Sequence, residues 1–165
     1  MIRVIDGFHS DDVGDWVAEL SCLHHQHVRH CPPFQERPWV VTSAGRAASL
    51  GAKIDCPLCD RAEPPTGLRT VRVAGPFDAD TLPAGLRKTH RVADRTWGVL
   101  RIIEGSVGIY IETNPVIVRR LSGGDRQPIP PLVPHRLTVD APVTLAVDFL
   151  VKDDEPSSTS RGLGN

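Results

Sequence analysis

From about Gly67 to Lys152 the chain offers no convincing helical period. It is a succession of short stretches: TVRVAGPF, LRKTHRV, WGVLRIIEG, SVGIYIET, PVIVRRL, DRQPI, HRLTVD and VTLAVDFLV. Each carries β-branched or alternating apolar residues, and Gly, Pro, Asp and Asn separate them. Many short strands with turn residues between them build a sandwich or a barrel. Glu104-Gly105 reads as a hairpin turn between two of these strands, and Gly123-Gly124 as a second sharp turn. The expected fold class is mainly β, with residues 67–152 closed as one all-β unit. A smaller unit over residues 1–64 precedes it. The polar tail, residues 153–165, cannot bury enough apolar surface to stay ordered.

The first unit has a different character. All four cysteines, Cys22, Cys31, Cys56 and Cys59, lie in it, as do His24, His25, His27 and His30. Pro64, Pro65 and Gly67 make the joint with the all-β unit. Cys56 and Cys59 have the spacing of a zinc knuckle, in which a tight turn puts two thiolates on one side of an ion. Structural zinc takes four Cys or His ligands in a tetrahedron. Cys22 and His24 form a Cys-x-His pair at the end of an expected strand, where alternation turns both side chains to one face. The expected zinc ligands are therefore Cys22, His24, Cys56 and Cys59; His25, His27, His30 or Cys31 are the alternatives to His24. A redox Cys-x-x-Cys belongs at a helix start in a parallel βαβ unit, a pattern not found here. A unit of this size has a small core, and zinc would supply the missing stability. Around the cysteines, IRVIDGF and DWVAEL read as a hairpin turned by Asp11, Asp12 and Gly14, and RPWVV as a further strand. Thr42 caps an expected helix through SAGRAASL, which Gly51 closes. The unit is thus expected to be a small zinc-stabilised α+β domain.

Gly7-Phe8-His9, WVAELSC, HQHVRH, PPF, RPWVVT, GR and CPLCD together resemble a short bacterial domain of uncharacterised function, of a type linked to pressure regulation. The resemblance covers most of residues 4–63 and implies an ordered metal-binding module without an established activity. His27, Arg29 and His30 belong to its shared string, and Leu23 stands where glycine is usual.

GDRQPIPPLVPH, from Gly124 to His135, has a glycine, a proline six residues on and a histidine eleven residues on. It resembles the second motif of the cupins, whose histidine on this strand binds a metal; Leu132 replaces a usual glycine and Val139 a usual asparagine. LPAGLRKTH, WGVLRIIEGSVGIY, PIPPLVPHRL and AVDFL are most similar to a small cupin family associated with tellurite resistance and nitrosative stress, found alone or ahead of a methyltransferase. The resemblance implies a jelly-roll barrel, the double-stranded β-helix, over residues 70–151. If Gly105 ends the first cupin motif, Gly98 occupies the glutamate position, and the two histidine positions fall among Arg91, Val92, Ala93 and Asp94. The family shares a histidine at His90. Asp148 interrupts the apolar strand LAVDFL, and a carboxylate facing into a barrel needs a partner. The expected barrel site is His90, His135 and Asp148, holding a divalent metal, zinc or iron.

Composition narrows the functions. A net charge of −1 gives no field toward nucleic acid or a membrane surface, and aromatics at 5% leave no base-stacking platform. No apolar run could span a bilayer, and the first residues lack a secretory pattern, so a cytoplasmic protein is expected. No glycine-rich loop follows a parallel strand to hold S-adenosylmethionine. The leading expectation is a metal-binding cupin that binds or processes a small anionic or oxyanion compound in stress resistance. The alternatives are a non-haem metal-dependent oxygenase or isomerase, and a non-catalytic adaptor or nucleic-acid-binding protein using the zinc module. Cupins commonly pair as homodimers through sheet edges.

Overall fold

The computed structural model describes residues 1–28 and 37–153. The expected hairpin forms from β1 (Ile2–Ser10) and β2 (Trp16–Leu20), with Ile5 opposite Leu20 and Ser10 opposite Trp16. The side chain of Asp11 accepts from the amides of Val13 and Asp15 and so fixes the turn. β3 (His25–His27) pairs with β2, and β4 (Lys53–Asp55) pairs with β1, giving the antiparallel order β3-β2-β1-β4. α1 (Ser43–Ser49) is capped by Thr42, whose Oγ1 accepts from the Gly45 amide at 3.0 Å. Gly51 follows it at φ 79°, where a glycine costs little. RPWVV departs from expectation: Pro38–Val41 is a 3-10 turn leading into that helix, with Val40 alone buried.

The second unit contains β5 (Leu68–Phe77), β6 (Trp97–Ile111), β7 (Ile117–Ser122), β8 (Arg126–Ile129), β9 (His135–Thr138) and β10 (Val143–Lys152). The fold is mainly β and antiparallel, as expected. Two stretches depart from their readings. Glu104-Gly105 is not a hairpin: β6 runs through it unbroken. Before Gly105 the strand pairs with β8 and β10; beyond it, with β7 and β9. Gly105 sits at φ 73°, and a Cβ there would collide with the Pro142 carbonyl. The residue that resembles a turn is the bend by which one strand serves two faces of the barrel. LRKTHRV is not a strand either: Ala84–Arg87 is a 3-10 turn, and His90 makes an isolated bridge to His135. Gly123-Gly124 does turn the chain between β7 and β8, with Gly124 at φ 94°.

The barrel core includes Leu100, Ile102, Ile109, Leu121, Leu137 and Leu145. A second core gathers Ile5, Leu20, Val40 and Ile54 of the first unit around the cysteines, and it also takes in Trp97 from the start of β6. The two units therefore share a wall. Arg3 reaches across to the Pro131 carbonyl (2.9 Å), and Arg95 pairs with Asp6 (3.0 Å). Among the described residues no helix is long and apolar enough to cross a membrane.

Leu23 (φ 71°) and Leu132 (φ 59°) both hold the left-handed conformation, at the positions where the resemblances lead one to expect glycine. The conformation costs a branched side chain about 1 kcal/mol or more. Leu132 is half exposed and loses little burial on truncation. Leu132→Gly is accordingly expected to leave the fold intact and stabilise it by ~0.5–1 kcal/mol, read as a shifted denaturant midpoint. Destabilisation of similar size would contradict the strain.

Candidate metal centre and barrel cavity

Cys22, His24, Cys56 and Cys59 converge in the first core, all four buried. Cys56 follows β4, and Pro57 starts α2 (Pro57–Asp60), which turns Cys59 back so that its amide donates to the Cys56 carbonyl at 3.1 Å. Cys22 and His24 arrive differently from expectation. β2 ends at Leu20, and a tight turn rather than strand alternation aims both side chains inward. The positive φ of Leu23 makes that turn, with the Leu23 amide on the Leu20 carbonyl (2.7 Å) and the Leu20 amide on the His24 carbonyl (2.9 Å).

All four donor atoms lie within 4.8 Å of one another, and several separations are close to the edges of a ligand tetrahedron. Cys22 Sγ lies 3.8 Å from Cys56 Sγ, and His24 Nδ1 lies 3.4 Å from Cys22 Sγ, 3.4 Å from Cys56 Sγ and 3.6 Å from Cys59 Sγ. Thiolates at about 2.3 Å and an imidazole at about 2.1 Å from a central ion give edges of about 3.8 and 3.6 Å. His24 Nε2 is 2.9 Å from the Glu63 carbonyl, so Nε2 carries the proton and Nδ1 is free to ligate. Without a cation the cluster is electrostatically awkward. Burial opposes a charge on His24, but hydrogen bonds to Cys22 and Cys56 outweigh it and push its pKa up to about 9. Hydrogen bonding to Cys22 and Cys56, with burial, pushes the Cys59 thiol up. A divalent cation would resolve this, and the donor set of three sulfurs and one nitrogen suits zinc. Arg3 is buried nearby, its charge favouring the Cys59 thiolate, and its Nε has no partner.

Among the described histidines, His24 is the one that the fold brings to the three cysteines. His25 stacks edge-on against His9 (4.9 Å) at the surface, and His27 lies 3.5 Å from Asp11. Arg29, His30 and Cys31 lie outside the described residues. Sequence reasoning misses Trp97. Its Nε1–H donates to the Cys22 carbonyl at 2.9 Å, and its ring packs edge-on against His24 at 5.5 Å. The signal available is a tryptophan opening a strand in a chain poor in aromatics.

In the barrel, His90 and His135 come together with ring centroids 4.1 Å apart. Paired backbone hydrogen bonds between the two residues hold them there, at 2.9 and 3.0 Å. Each ring is oriented the same way. His135 Nδ1–H donates to the Val133 carbonyl (2.8 Å) and His90 Nδ1–H to the Lys88 carbonyl (3.0 Å), leaving both Nε2 atoms as acceptors. Burial, assisted by the neighbouring His90, lowers the His135 pKa to about 4, so its imidazole is neutral at physiological pH.

Asp148 does not join them. Val147 and Phe149 line the cavity with the histidines, and alternation sends Asp148 to the opposite face of β10. There Arg101 grips it through two hydrogen bonds, at 2.8 and 2.9 Å, with Arg126 at 3.7 Å. The three-residue barrel site is thereby corrected to two imidazoles. Gly98, in the cupin glutamate position, faces Val92 and Ile129, and a Cβ there would stand 3.1 Å from Val92. A side chain at that place would need Val92 to shift by a few tenths of an ångström.

The cavity behind the histidines measures about 660 Å³. Its walls come from Phe77, Leu100, Ile129, Leu137, Val147 and Phe149.

The geometry defines a mainly β protein whose larger antiparallel unit follows a small unit built around a cluster of three cysteines and one histidine. Residues 6–63 match the model of a family described as a protein of unknown function, DUF3565, and residues 72–147 match that of the TehB-like domain. The first description names no function, so the link to pressure regulation gives way to it. Among solved structures, TehB from Haemophilus influenzae is 18% identical with a TM-score of 0.49, over 53% of this chain and 32% of that one. A protein of E. coli (strain K12) is 21% identical with a TM-score of 0.45, over 55% of this chain and 96% of that one. A cupin protein from Bacteroides fragilis is 20% identical with a TM-score of 0.34, over 47% of this chain and 65% of that one. This chain thus spans about a third of the length of the H. influenzae protein. No curated protein matches it.

Proposed function

We propose that the chain is a metal-binding cupin protein that binds or processes a small anionic or oxyanion compound in stress resistance of the tellurite or nitrosative type. In this reading Cys22, His24, Cys56 and Cys59 hold a structural zinc, and His90 and His135 hold a divalent zinc or iron ion in the barrel. The observation that carries the barrel reading is the pair of imidazoles whose Nδ1–H groups are both committed to backbone carbonyls. Their Nε2 lone pairs are thereby set as ligands before any ion arrives. A bound ion with open positions would polarise an oxygen of the compound. The protein's own part is to keep His135 neutral by burial, to fix both rings, and to line much of the cavity with apolar side chains. The stress context rests on the TehB-like match over residues 72–147 and on the resemblance of the same stretch.

Elemental analysis of His135→Ala tests the reading. One divalent ion per chain is expected to disappear, while the zinc of the first unit and the thermal midpoint of that unit stay as in the wild type. Unchanged metal content would contradict a metal on these histidines.

A further inference from the structure

We infer that the barrel cavity takes an organic anion with an extended apolar body, such as a medium-chain carboxylate, rather than a bare inorganic oxyanion. The inference rests on the proposal that the cavity is a ligand site, and it names the chemistry of the ligand. Two features of the cavity point the same way.

The first is the wall. At about 660 Å³ the space falls within the range of small-molecule sites, about 300–1,000 Å³, and far exceeds what an oxyanion fills. Phe77, Leu86, Leu100, Leu137, Val147 and Phe149 offer no side-chain hydrogen bonds. A small anion entering alone would lose its hydration and gain nothing from these surfaces. An apolar body gains from each of them.

The second is the sign of the charge at the mouth. Arg72 and Arg91, both exposed, line the cavity as do His90 and His135, and among the described residues no acid lines it. The Arg72 guanidinium carbon lies over the Phe149 ring, 4.3 Å from its centroid, and neither arginine is paired with a carboxylate among the described residues. The acids that could neutralise this end are engaged elsewhere: Asp148 on the other face of β10 with Arg101, and Glu112 with Thr89 and Arg136. The cavity therefore combines exposed positive charge, which suits a headgroup, with apolar surface, which suits a body. A guanidinium suits a carboxylate headgroup through paired hydrogen bonds.

The test is calorimetric titration of the full chain, as purified and with its metal content measured, against butanoate, hexanoate, octanoate, 1-octanol and inorganic phosphate. Affinity is expected to rise about fourfold per methylene, the equivalent of ~0.8 kcal/mol each, so octanoate should bind about 200-fold more tightly than butanoate. 1-Octanol should bind at least tenfold more weakly than octanoate, and phosphate should not compete. Equal affinity across the chain lengths, or tighter binding of phosphate than of octanoate, would overturn the inference. Equal binding of 1-octanol would overturn its anionic half. Val147→Trp should abolish octanoate binding by filling the cavity, Arg72→Ala with Arg91→Ala should weaken it at least tenfold, and Arg126→Ala, on the outer face, should leave it unchanged. Should Val147→Trp fail to fold, the chain-length series on the wild type decides alone. The metal reading fails separately: octanoate binding in a protein without a barrel metal removes that reading and leaves this inference standing. A barrel metal with phosphate as the preferred ligand does the reverse.

Discussion

With the proposed zinc in the cysteine cluster, Cys56→Ser is expected to abolish zinc binding there and to destabilise the first unit by about 4 kcal/mol or more. The size follows from how little else holds that unit. Its sheet of four strands includes two of only three residues, and its core is assembled around Cys22, Cys56 and Cys59 themselves. Serine would bring a weaker ligand and leave two buried thiols and His24 without their counter-charge. A chelator added to the wild type should reproduce the substitution, and the same chelator should do nothing further to the variant. If urea unfolding of the first unit were indifferent to both treatments, the cluster would not be a structural metal site. Because Cys56 caps α2 and Cys59 lies within it, hydrogen exchange should accelerate first over residues 56–60 and along the edge strand β4.

Trp97→Ala is expected to destabilise the whole chain by about 4 kcal/mol and to weaken zinc binding as well. Truncating a fully buried tryptophan costs about 3–5 kcal/mol where the site cannot collapse. The indole also supplies the donor for the Cys22 carbonyl and an edge contact to His24, so its removal loosens two of the proposed zinc ligands together. Trp97→Phe should keep the ring contact and lose about 1 kcal/mol with the hydrogen bond. Competition with a chromophoric chelator would read the zinc affinity, and denaturant unfolding the stability. A Trp97→Ala protein with unaltered zinc affinity and less than ~1 kcal/mol of destabilisation would show that the shared wall is incidental.

Trp97 also explains where the sequence is readable and where it is not. Strand alternation assigns a face only when one face is wet. At the start of β6 both faces are covered, one by the barrel core and one by the first unit, so WGVL reads as a continuous apolar run. That ambiguity hides the parity of the neighbouring strand. Asp148 sits opposite Val99, on the side away from the cavity, and no local signal separates this from the inward alternative. The bend at Gly105 reads as a hairpin for a related reason: glycine at positive φ serves a turn and a strand bend alike, and only the partners of β6 distinguish them.

The cysteine cluster is more legible because its spacing encodes geometry directly. Cys-x-x-Cys fits a single turn of backbone, and a Cys-x-His pair delivers two side chains to one side whether through a strand or through the tight turn found here. The choice of His24 over His25 depends on the positive φ of Leu23, which leucine does not advertise. In the barrel, the cupin-like spacing marks His135 and the shared histidine marks His90. Their pairing across the 90–135 bridge joins segments far apart in sequence, as does the apolar character of the cavity they face.

The most direct measurement is X-ray absorption at the zinc edge on the chain loaded with one equivalent of zinc. The cluster predicts three sulfurs at about 2.3 Å and one nitrogen at about 2.0–2.1 Å, with loss of a sulfur from the sphere in Cys56→Ser. A sphere of nitrogen and oxygen alone, or a chain that binds no zinc, would contradict the structural site on which the first unit is argued to depend.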